Sequence, residues 1–160
     1  MMISKIISGG QTGVDQAALD VAIALGIPHG GWIPKGRKTE NGALPDKYRL
    51  KEMPTSSYAK RTKQNVIDSE GTLIISLGPL TRGSELTHKT AMLNDRPWLH
   101  IDLRTLNTLQ AVKTVRSWIV RHGIKILNIA GPRASENPEI YDMSAKTLKA
   151  VVGKVEMRSF

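Results

Sequence analysis

Three short stretches of this 160-residue chain carry residue types that hold anions, and each follows an apolar run. Gly9-Gly10-Gln11-Thr12-Gly13 and then Asp15 come after Lys5-Ile6-Ile7-Ser8. Gly78-Pro79-Leu80-Thr81-Arg82-Gly83-Ser84-Glu85 comes after Thr72-Leu73-Ile74-Ile75-Ser76, and Gly131-Pro132-Arg133-Ala134-Ser135 after Ile126-Leu127-Asn128-Ile129-Ala130. A glycine- and hydroxyl-rich turn between a strand and a helix presents free backbone N–H groups beside the positive helix end. Three such turns on one sheet edge predict a ligand that carries phosphate. Thr12, Thr81, Ser84 and Ser135 offer hydroxyls to phosphate oxygens, and Arg82 and Arg133 offer planar forks. Each has a plainer use as well. The glycines suit a tight turn, the hydroxyls a helix cap, the arginines a solvated surface. Asp15 either complements the dipole of its helix or accepts a hydrogen bond from the ligand.

Other chemistries find less support. The first turn is neither G-x-G-x-x-G nor G-x-x-x-x-G-K-[ST], and no lysine follows Gly13 for nucleoside triphosphate hydrolysis. His29, His88, His100 and His122 lie far apart and cysteine is absent, so no protein-ligated metal is expected. No serine sits in a G-x-S-x-G elbow and no carboxylate pair stands out. The residues describe a binding edge with weak catalytic apparatus.

The elements that must position these turns can be read in order. Residues 4 to 8 form a strand. Val14, Ala17, Ala18, Val21, Ala22 and Leu25 then form the apolar face of a helix that Gly26 caps and Pro28 ends. A short strand is expected around Gly30 to Ile33, followed by a polar, proline-punctuated run to about Pro54. That run is long for a structureless connection and reads as a functional loop. Within it, Lys35 and Arg37 of Pro34-Lys35-Gly36-Arg37 are candidates to close over a phosphate. A helix is expected over 57–69 with apolar Ala59, Val66 and Ile67, and a buried strand over 72–76. Further helices follow from about Ser84 to Asn94, from Leu106 to a cap at Gly123, and from Asn137-Pro138 onward, with strands at 98–102 and 126–130. Five strand–helix alternations predict an α/β domain spanning the whole chain. Its five-stranded, mainly parallel sheet is doubly wound, with helices on both faces and ligands at the strands' carboxyl ends.

The chain has 23 basic and 14 acidic residues, a formal net charge of +9. The basic residues are spread out and the few aromatics do not interleave with them, so nucleic acid is not expected as the partner. No stretch approaches a membrane span, and no leader precedes the first strand, so a cytoplasmic location is expected.

Taken together, Ser8-Gly9-Gly10-Gln11-Thr12-Gly13-Val14-Asp15-Gln16-Ala17-Ala18-Leu19-Asp20, His29-Gly30-Gly31-Trp32, Pro34-Lys35-Gly36-Arg37, Gly71-Thr72-Leu73-Ile74, the 78–84 turn and Leu127 to Glu136 resemble the molybdenum-cofactor carrier family. The likeness covers nearly the whole chain. It implies a Rossmann-like, homo-oligomeric (dimeric or tetrameric) protein with a phosphate-bearing cofactor, molybdopterin or a nucleotide, bound over the strand ends. More distantly, the chain is similar to lysine-decarboxylase-like phosphoribohydrolases, which cleave base from a nucleoside monophosphate and carry P-G-G-x-G-T-x-x-E. Gly83-Ser84 take the Gly-Thr places, but Thr87 occupies the glutamate place. Glu85 stands two residues early, roughly 200° around the helix from the required direction. That resemblance implies, as the alternative to a carrier, N-glycosidic cleavage of a nucleoside monophosphate or an ADP-ribose-like molecule.

Overall fold

The computed structural model describes residues 2–153. Its central sheet uses β1 (Lys5–Ile7), β2 (His29–Gly30), β7 (Gly71–Ser76), β8 (Trp98–Asp102) and β9 (Ile126–Ala130). They lie in the order β2-β1-β9-β7-β8, and every neighbouring pair is parallel. The helices are α1 (Val14–Leu25), α2 (Tyr58–Asp68), α3 (Arg82–Leu93), α4 (Thr108–His122) and α5 (Ile140–Val152). The arrangement is α/β and Rossmann-like, as expected.

The strand order explains why the site lies where it does. If the sheet strands are counted from β7 rather than β1, the order becomes 5-4-3-1-2, which is 2-1-3-4-5 read from the other edge. That is a doubly wound order whose switch point lies between its first and third strands, here β7 and β9. The chain therefore carries a familiar sheet whose start has been moved, and its last strand is threaded between β1 and β7.

Strand alternation divides the two faces. Ile6, Leu73, Ile75, Leu127 and Ile129 face the main core, which α1, α4 and α5 close with Val14, Ala18, Val21, Val115, Ile119, Ile140, Leu148 and Val151. The opposite face, under α2 and α3, carries Thr72, Ser76 and Asn128 beside Ile74, all of them buried. One face is thus wholly apolar, and the other is mixed.

Three boundaries differ from expectation. The strand around 30–33 is split at Gly31, whose φ of 124° and close approach to the Ser8 carbonyl leave no room for a side chain. β3 (Trp32–Ile33) instead pairs with β6 (Lys51–Glu52). The run to Pro54 is folded rather than a free loop. β4 (Lys38–Thr39) pairs antiparallel with β5 (Gly42–Ala43), and Ile33, Leu44, Tyr48 and Leu50 form a second small core on Leu19 of α1. Asp20 fastens this region by accepting hydrogen bonds from the Tyr48 hydroxyl at 2.6 Å and from the Tyr141 hydroxyl. Finally, the closing helix begins at Ile140, after a turn that contains Asn137 and Pro138. The caps at Gly26 and Gly123 are left-handed, as read from the sequence. Among the described residues no helix is long and apolar enough to cross a membrane.

Candidate functional site

A cleft of about 470 Å3 opens over the carboxyl ends of β1, β9 and β7, at the switch point. Gly9, Gln11 and Asp15 line it from the first turn, Arg82, Gly83 and Ser84 from the second, and Gly131, Pro132, Arg133 and Ser135 from the third. The three turns, distant in sequence, do converge on one rim.

Their roles differ. The first turn spends most of its amides on acceptors within the protein. Gly10 N–H donates to Ser8 Oγ, Gln11 N–H to Asp15 Oδ2 at 3.1 Å, and Thr12 N–H to its neighbour's Gln11 Oε1 at 3.1 Å. Val14 N–H donates to the Pro132 carbonyl at 3.4 Å. Acceptors within the protein thus take up four amides of the expected cradle at α1, while those of Gly13 and Asp15 have none among the described residues. Gly13, with φ of 81°, lets the first turn lie directly on the Pro132 carbonyl. Gly10 faces Ile33, Leu44 and Leu50 of the second core rather than the cleft.

Thr12 is likewise occupied. Its hydroxyl donates to Glu40 Oε2 at 2.5 Å and accepts from Ala134 N–H at 3.1 Å. Ser135 N–H also reaches Glu40 Oε2 at 3.4 Å, and Glu40 N–H donates to Gln11 Oε1 at 2.9 Å. Glu40, on the β4–β5 turn, thus laces the first and third turns together. Burial alone would raise its carboxyl, but hydrogen bonds from Ser135 and Thr12 and the Arg133 charge outweigh that and hold it below the ordinary range.

In the second turn no side chain accepts from the amides at the helix start. Thr81 caps α3 without a side-chain hydrogen bond. The N–H groups of Arg82 and Gly83 find no acceptor among the described residues, whereas those of Ser84 and Glu85 turn back to the Thr81 carbonyl. Arg82 adopts a left-handed φ of 47°, which an L side chain rarely takes. Ser84 is 5% exposed and its hydroxyl has no partner among the described residues. Gly78 stands behind, its N–H held by Asp102 Oδ1 at 2.8 Å and its carbonyl accepting from Ser76 Oγ at 2.6 Å. Pro79 and Thr81 line a smaller adjoining cleft.

Other expected residues lie elsewhere. Arg37 staples its own loop, donating to the carbonyls of Leu44, Pro45 and Tyr48 at 3.0, 2.9 and 2.7 Å. Neither it nor Lys35 lines the cleft. Glu85 points away and pairs with Lys89 at 3.3 Å, while Thr87 faces the cleft, as helical geometry requires.

Sequence reasoning missed the contribution of α2. Tyr58, Arg61, Thr62 and Asn65 line the cleft from one stripe of that helix. The signal was present as polar residues at i, i+3, i+4 and i+7, the spacing of a buried face. Arg61 is 8% exposed and donates through Nη1 to the Gly9 carbonyl, in space a side chain at Gly9 would take. The Tyr58 ring lies 5.4 Å from the guanidinium carbons of both Arg61 and Arg133 and 4.5 Å from Lys38 Nζ. Three cations thus share one aromatic ring at the mouth.

Beneath them, Asp15 is 6% exposed, and burial pushes its carboxyl up to about 6 despite the nearby Arg61 and Arg133. Gln11, 5% exposed, has its Nε2 amide buried with no hydrogen-bond partner while it lines the cleft. A buried orphan donor costs about 1–3 kcal/mol unless a guest satisfies it. The cleft therefore presents donors and positive charge with an unmet demand for an acceptor.

Comparison with known proteins agrees with this fold. The model of the circularly permutated YpsA SLOG family matches residues 6–152. Among curated proteins none matches. Among solved structures, the 1.45 Å crystal structure of the "Putative molybdenum carrier protein" from Syntrophus aciditrophicus SB is 54% identical to this chain. It superposes with a TM-score of 0.93 over 94% of this chain and 96% of that one. The moved sheet start, the matched residues and this likeness lead to one conclusion: the chain belongs to the circularly permutated YpsA SLOG family.

Proposed function

We propose that this protein binds and carries a phosphate-bearing cofactor, with molybdenum cofactor the leading candidate. The single observation that carries the reading is the orphan Nε2 donor of Gln11, a residue that lines the same cleft as the start of α3 and the Arg61–Tyr58–Arg133 group. These groups fit an anionic, hydrogen-bond-accepting guest: Arg82 and Gly83 N–H groups and Ser84 would take phosphate oxygens, and Gln11 a further acceptor. The chain has no cysteine, so any molybdenum would rely on the sulfur of the cofactor's own pterin. The 54% identical "Putative molybdenum carrier protein" named above supports a molybdenum-related cargo.

Thermal and isothermal titration with molybdopterin, molybdate and nucleotides test the reading. A ligand at about 100 times its dissociation constant adds roughly 2.7 kcal/mol of stability. Arg61→Met and Gln11→Leu should each weaken binding, and no response to any of these compounds would overturn the proposal.

Asp15 favours a second reading. A cleft carboxyl that titrates at about 6 can carry a proton near neutrality, as N-glycosidic cleavage requires. Base release from AMP that disappears in Asp15→Asn would establish it, and no release by the wild type would dismiss it.

A further inference from the structure

Cleft volume does not end at α3. On the other side of its N-terminus a second cleft of about 230 Å3 is lined by Ser76, Pro79, Thr81, Ser84, Arg104 and Asn137 among others. Ser84 and Pro132 line both clefts. The open amides of Arg82 and Gly83 therefore stand at a divide between two concavities, not at the end of one.

Two observations show that the second side is equipped for a ligand. Ser84 is nineteen-twentieths buried at 5% exposure and its hydroxyl, at this divide, has no partner among the described residues. Arg104 curls back over the 78–84 turn, its Nη1 3.1 Å from where a Gly78 side chain would begin. Asp102 Oδ1 accepts from the N–H groups of Gly78 and Arg104 at 2.8 and 2.9 Å, and the Arg104 guanidinium makes no ion pair within 4 Å among the described residues.

We propose that the ligand is two-armed. A bridging phosphate or diphosphate sits on the α3 N-terminus, one substituent enters the large cleft beside Tyr58, Arg61 and Arg133, and a second enters the small cleft under Arg104. The chemical class is a phosphodiester or a diphosphate-bridged compound, which for a molybdenum cofactor means a form whose pterin phosphate is itself esterified; a terminal phosphate monoester would leave the small cleft and the Arg104 guanidinium without a partner. Arg104 and Thr81 would select between the two classes. This inference rests on the phosphate-binding reading above, and its test separates the two.

Calorimetric titration compares AMP, a monoester, with ADP-ribose, a diphosphate with substituents at both ends, against the wild type and Arg104→Ala. Arg104 is exposed and makes no side-chain hydrogen bond within the described residues, so its removal should leave the fold intact, which the unfolding temperature checks. The expected result is at least tenfold tighter binding of ADP-ribose than AMP, with Arg104→Ala abolishing most of that ratio while leaving AMP affinity within about twofold. AMP binding as tightly as ADP-ribose, or a ratio unchanged in Arg104→Ala, overturns the two-armed ligand and leaves phosphate binding standing. If neither compound nor molybdopterin binds, the phosphate-binding reading itself falls and this inference with it.

Discussion

The turns at 9–15 and at 78–84 are built from the same sequence grammar, a buried strand, glycines and hydroxyls, then a helix. In the first, side chains and carbonyls of the protein take up the amides of Gly10, Gln11, Thr12 and Val14, and only those of Gly13 and Asp15 lack an acceptor among the described residues. In the second, the Thr81 cap makes no side-chain bond and no side chain accepts from the amides of Arg82, Gly83, Ser84 or Glu85. The first turn is a joint between parts of the fold, and the second is a mouth. Glycine after a strand therefore does not by itself make an anion site. What decides is whether a nearby Asp, Ser or Gln has already claimed the donors.

The contrast can be broken most forcefully at its glycines. Gly13→Ala should cost about 4 kcal/mol, since a left-handed φ of 81° combines with a collision against the Pro132 carbonyl, which is backbone and cannot swing aside. Denaturant unfolding would show it. An effect under about 1 kcal/mol would mean that the joint is loose.

Asp15 comes next, with the opposite sign. Its folded-state value of about 6 lies above the ordinary 3.8, so the ionised carboxyl costs stability increasingly as pH rises from about 4 through 6. Asp15→Asn should therefore stabilise the protein by something on the order of 3 kcal/mol at pH 8 and by nothing at pH 4. Urea midpoints measured at both values test the sign, and a less stable variant at pH 8 would show that the charge is needed by Arg61 more than burial opposes it.

Glu40→Gln probes the lacing of the first and third turns. It should cost about 1 kcal/mol at neutral pH. Glu40 is held below its ordinary range, so its contribution is present above the unfolded value and fades as pH falls through the folded one. The difference between variant and wild type should accordingly shrink in acid. The smallest effect belongs to the open turn. An added methyl at Gly83 meets nothing within 4 Å, so Gly83→Ala should leave stability unchanged or raise it by about 0.5 kcal/mol. A large loss there would mean that the two turns are alike after all.

The alternation of strands and helices was legible because parallel strands buried on both faces read as runs such as Leu73-Ile74-Ile75. Strand order was not, since nothing local in Ile126–Ala130 tells it to enter between β1 and β7. At the site, Gly83, Ser84 and Arg133 were legible from turn chemistry, and the outward course of Glu85 followed from helical geometry. Lys35 and Arg37 misled because a basic loop near a glycine turn looks like a clamp, whereas Arg37 is consumed by three carbonyls of its own loop. Arg61 and Asn65 escaped notice because a helix is normally read for its apolar face, and α2 buries a polar one against the ligand side.

The threading of β9 has a consequence for synthesis. As the polypeptide leaves the ribosome, β1 with β2 and β7 with β8 emerge as two pairs that have no hydrogen bonds to each other until residues 126–130 arrive. Until then each pair exposes a raw strand edge, a known invitation to wrong partners. Nascent chains of this protein should thus depend on chaperones longest in the interval before that keystone strand clears the exit tunnel.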